Sequence, residues 1–157
     1  MRRQDKEITD QKVIQDILHK GDICRIALSD GNVPFIVPLN YGYSNECIYF
    51  HSASSGKKIE LIKKNNKVCF EIEYGAELIK TESPCGWTSK YRSVIGYGTI
   101  EIITDINLKM KGLDIIMTHY GKITENNYDE KSVEKLVILK LTIDEISCKQ
   151  SGKWEYM

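Results

Sequence analysis

Short apolar runs joined by tight-turn residues constrain this chain more than any other feature. Asp30-Gly31-Asn32 separates residues 23–28 from residues 33–43, and Asp-Gly supplies the positive φ angles that a tight hairpin needs. Ser44-Asn45-Glu46 then turns into a run at 47–51. Over residues 67–74, Val68, Phe70 and Ile72 alternate with Cys69, Glu71 and Glu73, the period of a half-buried strand. Residues 91–103 read as a long strand with a bend or bulge at Gly96 and Gly98, and 136–143 as the last strand. Pro34 and Pro38 remove ladder donors, which makes 33–43 irregular or places it near a sheet edge.

Helical patterns are few. Asp10 is a good N-cap for a helix to about His19, with Val13, Ile14, Ile17 and Leu18 as its stripe and Gly21 as its end. A second runs from about Gly56 to Lys64 with Ile59, Leu61 and Ile62 inward, and a third over 106–120, weakened by Gly112. Residues 81–90 read as a polar loop, 125–134 as a solvated acidic loop, and Trp154 sits in a short tail. Hairpin-linked strands with so few helices predict an α+β chain, most simply a small antiparallel barrel.

At 157 residues the chain suits one domain spanning 1–157. Lys plus Arg and Asp plus Glu number 22 each, so no net charge points to nucleic acid or opposes self-association. No apolar stretch nears membrane-spanning length, and Met-Arg-Arg-Gln-Asp-Lys-Glu at the start lacks the apolar centre of a signal peptide; the expected compartment is the cytoplasm. The five cysteines include no Cys-x-x-Cys pair, so reduced thiols are expected, with no metal site. Cys85, in a loop, is the one thiol with a claim to reactivity.

Residues 48–61 carry the chemistry. A run ending at His51 meets the small loop Ser52-Ala53-Ser54-Ser55-Gly56, and Lys57 and Lys58 open the amphipathic helix. Small residues admit an anion close to backbone N–H groups, a helix N-terminus adds partial positive charge, and the lysines add full charges. The same residues also suit an ordinary solvated turn, and His51 alone could be a hydrogen-bonded strand-end histidine. His19 and His119, each at a helix C-terminus, read as structural.

Four blocks in order resemble the FMN-binding split-barrel proteins related to pyridoxamine 5′-phosphate oxidase, nearest their nitroimidazole resistance branch. Met1 to Asp10 resembles that branch's basic opening, and Gly21-Asp22-Ile23-Cys24-Arg25-Ile26-Ala27-Leu28 its first barrel strand. Val37-Pro38-Leu39-Asn40-Tyr41-Gly42-Tyr43, Tyr49-Phe50-His51-Ser52-Ala53 and Gly56-Lys57-Lys58 resemble its flavin-binding core. Trp87-Thr88 with Lys90-Tyr91-Arg92-Ser93-Val94-Ile95-Gly96-Tyr97-Gly98 resembles the strand that closes over the flavin.

The resemblance implies a split barrel that binds FMN. Lys57 and Lys58 match the pair holding the phosphate; His51, Ser52 and Ala53 match the strand end beside phosphate and ribityl chain. Pro38, Leu39, Asn40 and Tyr41 match the strand whose backbone edges the ring, and Arg92 and Ser93 the position where a side chain reaches the flavin. It further implies a homodimer with two flavins at its interface, with Trp87, Tyr91, Arg92 and Trp154 as contact material. His51 matches a histidine near the reactive part of the site, and Tyr97 is another proton donor to consider. The tail from Lys149 lacks the basic substrate motif of true pyridoxamine phosphate oxidases, which disfavours vitamin B6 oxidation. What remains is reduction of small flat electrophiles such as nitroaromatics. The alternative is a flavin-binding or redox-sensing protein without efficient turnover, or less readily the same barrel holding haem or a deazaflavin.

Overall fold

The computed structural model describes residues 3–122 and 127–154. The first two residues of the opening segment, Glu125 and Asn126 of the acidic segment and the last three of the tail lie outside them.

Helix α1 (Gln11–Lys20) starts at Asp10, whose carboxylate accepts the Lys12 N–H at 2.9 Å; Ile14, Ile17 and Leu18 are buried. Gly21 ends it at φ −67°, so the glycine is there for space: a Cβ would run into Ile72 and the Tyr41 hydroxyl. The strands are β1 (Cys24–Leu28), β2 (Phe35–Leu39), β3 (Gly42–Ser44), β4 (Cys47–Ala53), β5 (Lys67–Ile79), β6 (Thr88–Ile103) and β7 (Leu136–Ser151). Helices α2 (Lys57–Lys64), α3 (Ile106–His119) and α4 (Glu130–Glu134) complete the fold. The acidic loop expected at 125–134 is thus in part a short helix, because Asp129 caps it by accepting the Ser132 N–H and Val133 is buried.

All neighbouring strands are antiparallel, in the order β2-β1-β5-β6-β7-β4-β3. The two ends of that order, β2 and β3, are separated in sequence only by Asn40 and Tyr41. The sheet's edges are therefore tied together by a two-residue crossing, which rolls the sheet into a barrel and leaves a split where the edges do not pair. The single irregular strand expected over 33–43 is two strands on opposite edges. The connection between β1 and β2 is also longer than a two-residue turn, with Gly31 at φ 98° and Asn65 donating to the Ser29 carbonyl. The β3–β4 turn is tight: Asn45 and Glu46 adopt φ 50° and 59°, the paired positive angles of a type I′ hairpin.

Phe50, Phe70, Ile26, Ile72, Val94, Leu139 and Leu141 fill the barrel, each worth about 1.5–3 kcal/mol when fully buried. Ile59, Leu61 and Ile62 of α2 join them. The bend expected at Gly96 and Gly98 is present as a register shift between Tyr97 and Gly98, opposite Asp144. There the inward phase of β7 changes: Val137, Leu139 and Leu141 are buried before it and Cys148 after it. That change hides the second half of β7 from an alternation pattern, so the strand continues to Ser151 where 136–143 was expected. β5 and β6 likewise extend past their expected ends, with a shift between Tyr74 and Glu77 at Gly75, φ 64°. Their hairpin shortens the loop expected at 81–90.

Candidate functional site

Two backbone edges border the split. β2 pairs only with β1, so its other edge has no ladder partner among the described residues. β4 pairs with β7 along Cys47–Ala53, but β3 covers only Cys47 to Tyr49 on its other side. From Phe50 onward that side of β4 is open as well. Polar main-chain groups are expensive to leave unpaired away from water, so the open edges beside the split are natural places for a polar ligand edge.

The loop after β4 stands at the same joint. Gly56 precedes α2 at φ 104°, with open space where a Cβ would be, and no side chain caps the helix. The first α2 bond is Glu60 N–H to the Gly56 carbonyl, so the N–H groups of Lys57, Lys58 and Ile59 have no partner within the helix. The Lys57 ammonium lies 4.5 Å from the centre of the Phe35 ring, which puts the start of α2 beside β2. Lys58 is half-buried, and burial lowers its pKa, so an anion here would restore charge compensation. Open N–H groups, a helix N-terminus and two ammonium groups fit a phosphate.

Along β4 the side chains alternate: His51 and Ala53 point outward and are exposed, Phe50 and Ser52 inward and are buried. Ser52 donates to the Ala53 carbonyl at 3.0 Å, so its hydroxyl is engaged. The His51 side chain makes no hydrogen bond among the described residues and faces solvent, whereas His119 bonds the Gly21 carbonyl and His19 packs edge-on against Tyr43. On β2 and the crossing, Pro38 and Asn40 are exposed, Leu39 packs on the core, and Tyr41 is fully buried with its hydroxyl donating to the Leu18 carbonyl at 2.8 Å. Only the backbone of Leu39 and Tyr41 can therefore meet a ligand.

Arg92 and Ser93 are not brought to this place within one chain. Across β7, His51 is level with Ile138 and Arg92 with Gln150, about 40 Å apart along the strand contour. Arg92 turns inward at the far mouth of the barrel, donates to Gln150 Oε1 at 3.2 Å and has no carboxylate partner among the described residues. Trp154 lies over it, with the guanidinium carbon 4.2 Å and the Lys90 ammonium 4.6 Å from the indole centre. Ser93 faces outward, half-buried, and Trp87 sits exposed on the β5–β6 hairpin. Val33, Ile36, Ile95 and Tyr97 are further exposed apolar side chains, and Ile36 and Tyr97 stand level with each other across β1 and β5 through Ala27 and Cys69. A groove of about 450 Å³ there is lined by Ala27, Pro34, Cys69 and Tyr97 among others.

All five cysteines are free. Burial pushes the Cys24 thiol up and that of Cys148 to about 11, which makes both poor nucleophiles. Tyr120 carries no sequence signal, because its hydroxyl reaches Tyr41 across 79 positions of chain and no local pattern marks such a contact.

The rolled antiparallel sheet, its split and the basic loop define a split-barrel protein. A family model described as pyridoxamine 5′-phosphate oxidase matches residues 10–150, and the chain belongs to that family. A protein of Bacteroides thetaiotaomicron, described as a candidate 5-nitroimidazole antibiotic resistance protein, shares 32% identity over 92% of this chain and 86% of its own, with a TM-score of 0.80. The flavocytochrome Anf3 of Azotobacter vinelandii (21% identity, 98% of this chain and 72% of that one, TM-score 0.79) has the same fold. So does an FAD- and haem-binding protein of Mycobacterium smegmatis (19% identity, 97% and 76%, TM-score 0.79). An uncharacterised curated protein of Rhizobium meliloti is 34% identical over 58 residues, only 37% of this chain and 38% of that protein. Among the described residues no helix is long and apolar enough to cross a membrane.

Proposed function

We propose that this protein is a homodimeric FMN-binding oxidoreductase acting on small flat electrophiles, with nitroaromatic compounds as the leading class. The observation that carries this reading is the meeting, at the split, of the uncapped α2 N-terminus and Lys57 and Lys58 with the open edge of β2. The phosphate would take the N–H groups and the two ammoniums. The isoalloxazine edge would take main-chain groups of residues 38–41, with Pro38 offering apolar contact to the ring. Bound flavin would supply the electron transfer. His51, exposed and unbonded, would hold a proton beside it. FMN is favoured over FAD because the chain offers one phosphate seat and no Gly-x-Gly-x-x-Gly loop. The nitroaromatic class rests on the likeness to the Bacteroides protein.

Support for a dimer comes from what one chain leaves apart. Arg92 and Ser93 can approach a flavin seated at Lys57 only from a second copy, and a twofold pairing of the exposed outer face would also cover Ile36 and Tyr97, which are 64% and 54% exposed. The fold shared with FAD- and haem-binding proteins favours a second reading, the same barrel holding FAD or haem.

Cofactor released by heating should run as FMN on chromatography; FAD as the main species, or a Soret band in the intact protein, overturns the assignment. Light scattering should give twice the 18.0 kDa chain mass, and a monomer that holds FMN tightly refutes the shared site. Chemically reduced protein should reduce a nitroaromatic; if it does not, a binding or sensing role takes its place.

A further inference from the structure

The β1–β2 ladder ends where an outside hydroxyl enters it. Cys24 pairs with Leu39, so the same register would next set Ile23 against Asn40 and Asp22 against Tyr41. At that last rung the Tyr120 hydroxyl stands between the strands. It accepts the Tyr41 N–H at 3.1 Å and donates to the Asp22 carbonyl at 2.6 Å. Both backbone groups are satisfied, yet the strands are held too far apart to bond directly, and the chain leaves β1 for the opposite edge.

The wedge is braced on each side. His119 Nε2 bonds the Gly21 carbonyl at 2.8 Å, and it must be the donor because a carbonyl only accepts. Gly42, next after Tyr41, lies so close under α3 that a Cβ would stand 2.6 Å from the Ile115 carbonyl.

The peptide between Asn40 and Tyr41 is trans, so its C=O and N–H point in opposite directions. The N–H is aimed at Tyr120 and β1. The Asn40 carbonyl is therefore aimed at the open edge of β2, and no described donor bonds it. An acceptor on this edge matches the imide N3–H on the pyrimidine side of a flavin ring, an edge that must be hydrogen-bonded once water is displaced.

We infer that Tyr120 is a positioning residue of the flavin site: its inserted hydroxyl fixes the Asn40–Tyr41 peptide so that the Asn40 carbonyl receives the flavin N3–H. This rests on the flavin reading above, and Tyr120 itself does not touch the ring.

The test compares FMN with 3-methyl-FMN, which lacks that N–H, on the wild-type protein, Tyr120→Phe and Tyr128→Phe. Tyr128 donates to Asp114 away from β2 and serves as the control. Wild type should prefer FMN, and Tyr120→Phe should weaken FMN roughly three- to tenfold, the range of one hydrogen bond, while leaving 3-methyl-FMN nearly unchanged. The preference then collapses, and the bound-flavin absorption shifts with it; Tyr128→Phe should keep both. An equal loss for both ligands, or an unchanged ratio, overturns the positioning role. Should Tyr120→Phe fail to fold, the wild type alone decides: equal affinity for the two flavins refutes the inference. A wild type that takes up neither flavin refutes the flavin reading itself.

Discussion

Gly42→Ala tests whether α3 is seated as closely on the crossing as the structure has it. Gly42 does not occupy the left-handed region, so its lack of a side chain serves space alone. An alanine Cβ would stand 2.6 Å from the Ile115 carbonyl carbon and oxygen and 2.7 Å from Ile116 Cα, where ordinary contact begins at 3.4 Å. Relief requires about 0.8 Å of movement by helix backbone, which no rotamer change can supply. Overpacking costs ~1–3 kcal/mol, and a backbone neighbour puts this case in the upper half. Against that, alanine recovers about 0.4–1 kcal/mol by restricting the unfolded chain. The net is a loss of about 2 kcal/mol, or a fall in Tm of about 4–8 °C for a chain this size. Thermal unfolding followed by circular dichroism reads it. Gly112→Ala is the comparison: the nearest atoms to its Cβ, from 2.9 Å, belong to the Ile138 side chain and not to backbone, and it gains helix propensity of about 1 kcal/mol, so its loss should be smaller. Gly42→Ala melting at or above the wild-type temperature would refute the close seating of α3, and with it the bracing of Tyr120.

Three further outcomes are expected. Lys57→Ala with Lys58→Ala should raise the FMN dissociation constant by at least tenfold, since charge-assisted bonds contribute about 1.5–3 kcal/mol each; isothermal titration giving the wild-type value returns both lysines to solvated surface. His51→Ala should slow nitroaromatic reduction by reduced flavin more than it weakens FMN binding, and a variant that merely loses flavin makes His51 a cofactor ligand. Burial, with a smaller contribution from His19, lowers the His119 pKa, because a second ring proton would sit on Nδ1, which is buried without a partner. Between that lowered value and the ordinary 6.5 the unfolded chain binds more protons than the folded one, so stability falls as pH drops through this window. His119→Gln should flatten that slope in urea unfolding measured across the window, and an unchanged slope assigns the titration elsewhere.

What the sequence determined by itself is what near neighbours along the chain can enforce. Asp10 caps α1 because its carboxylate reaches an N–H two residues on. Val68, Phe70 and Ile72 alternate because a strand buries one face, and the loop before Lys57 opens α2 because Gly56 can take φ 104°. The order of the blocks was also enough to place the chain in its family. Tertiary structure alone decided the rest. Residues 33–43 break at Asn40–Tyr41 because the two halves find partners on opposite edges, β1 for one and β4 for the other. β7 runs on past Ile143 because β6 pairs with it across a bulge at Asp144, where the inward phase changes and the alternation ceases to show. Arg92 points into the far barrel mouth because Gln150 and Trp154 meet it there, and Tyr120 ends a ladder nearly eighty residues away. Pattern along a chain records whether a residue needs water or the core. Which edge it borders, and what enters that edge, is set by strand register and barrel closure, and these exist only once distant segments have packed.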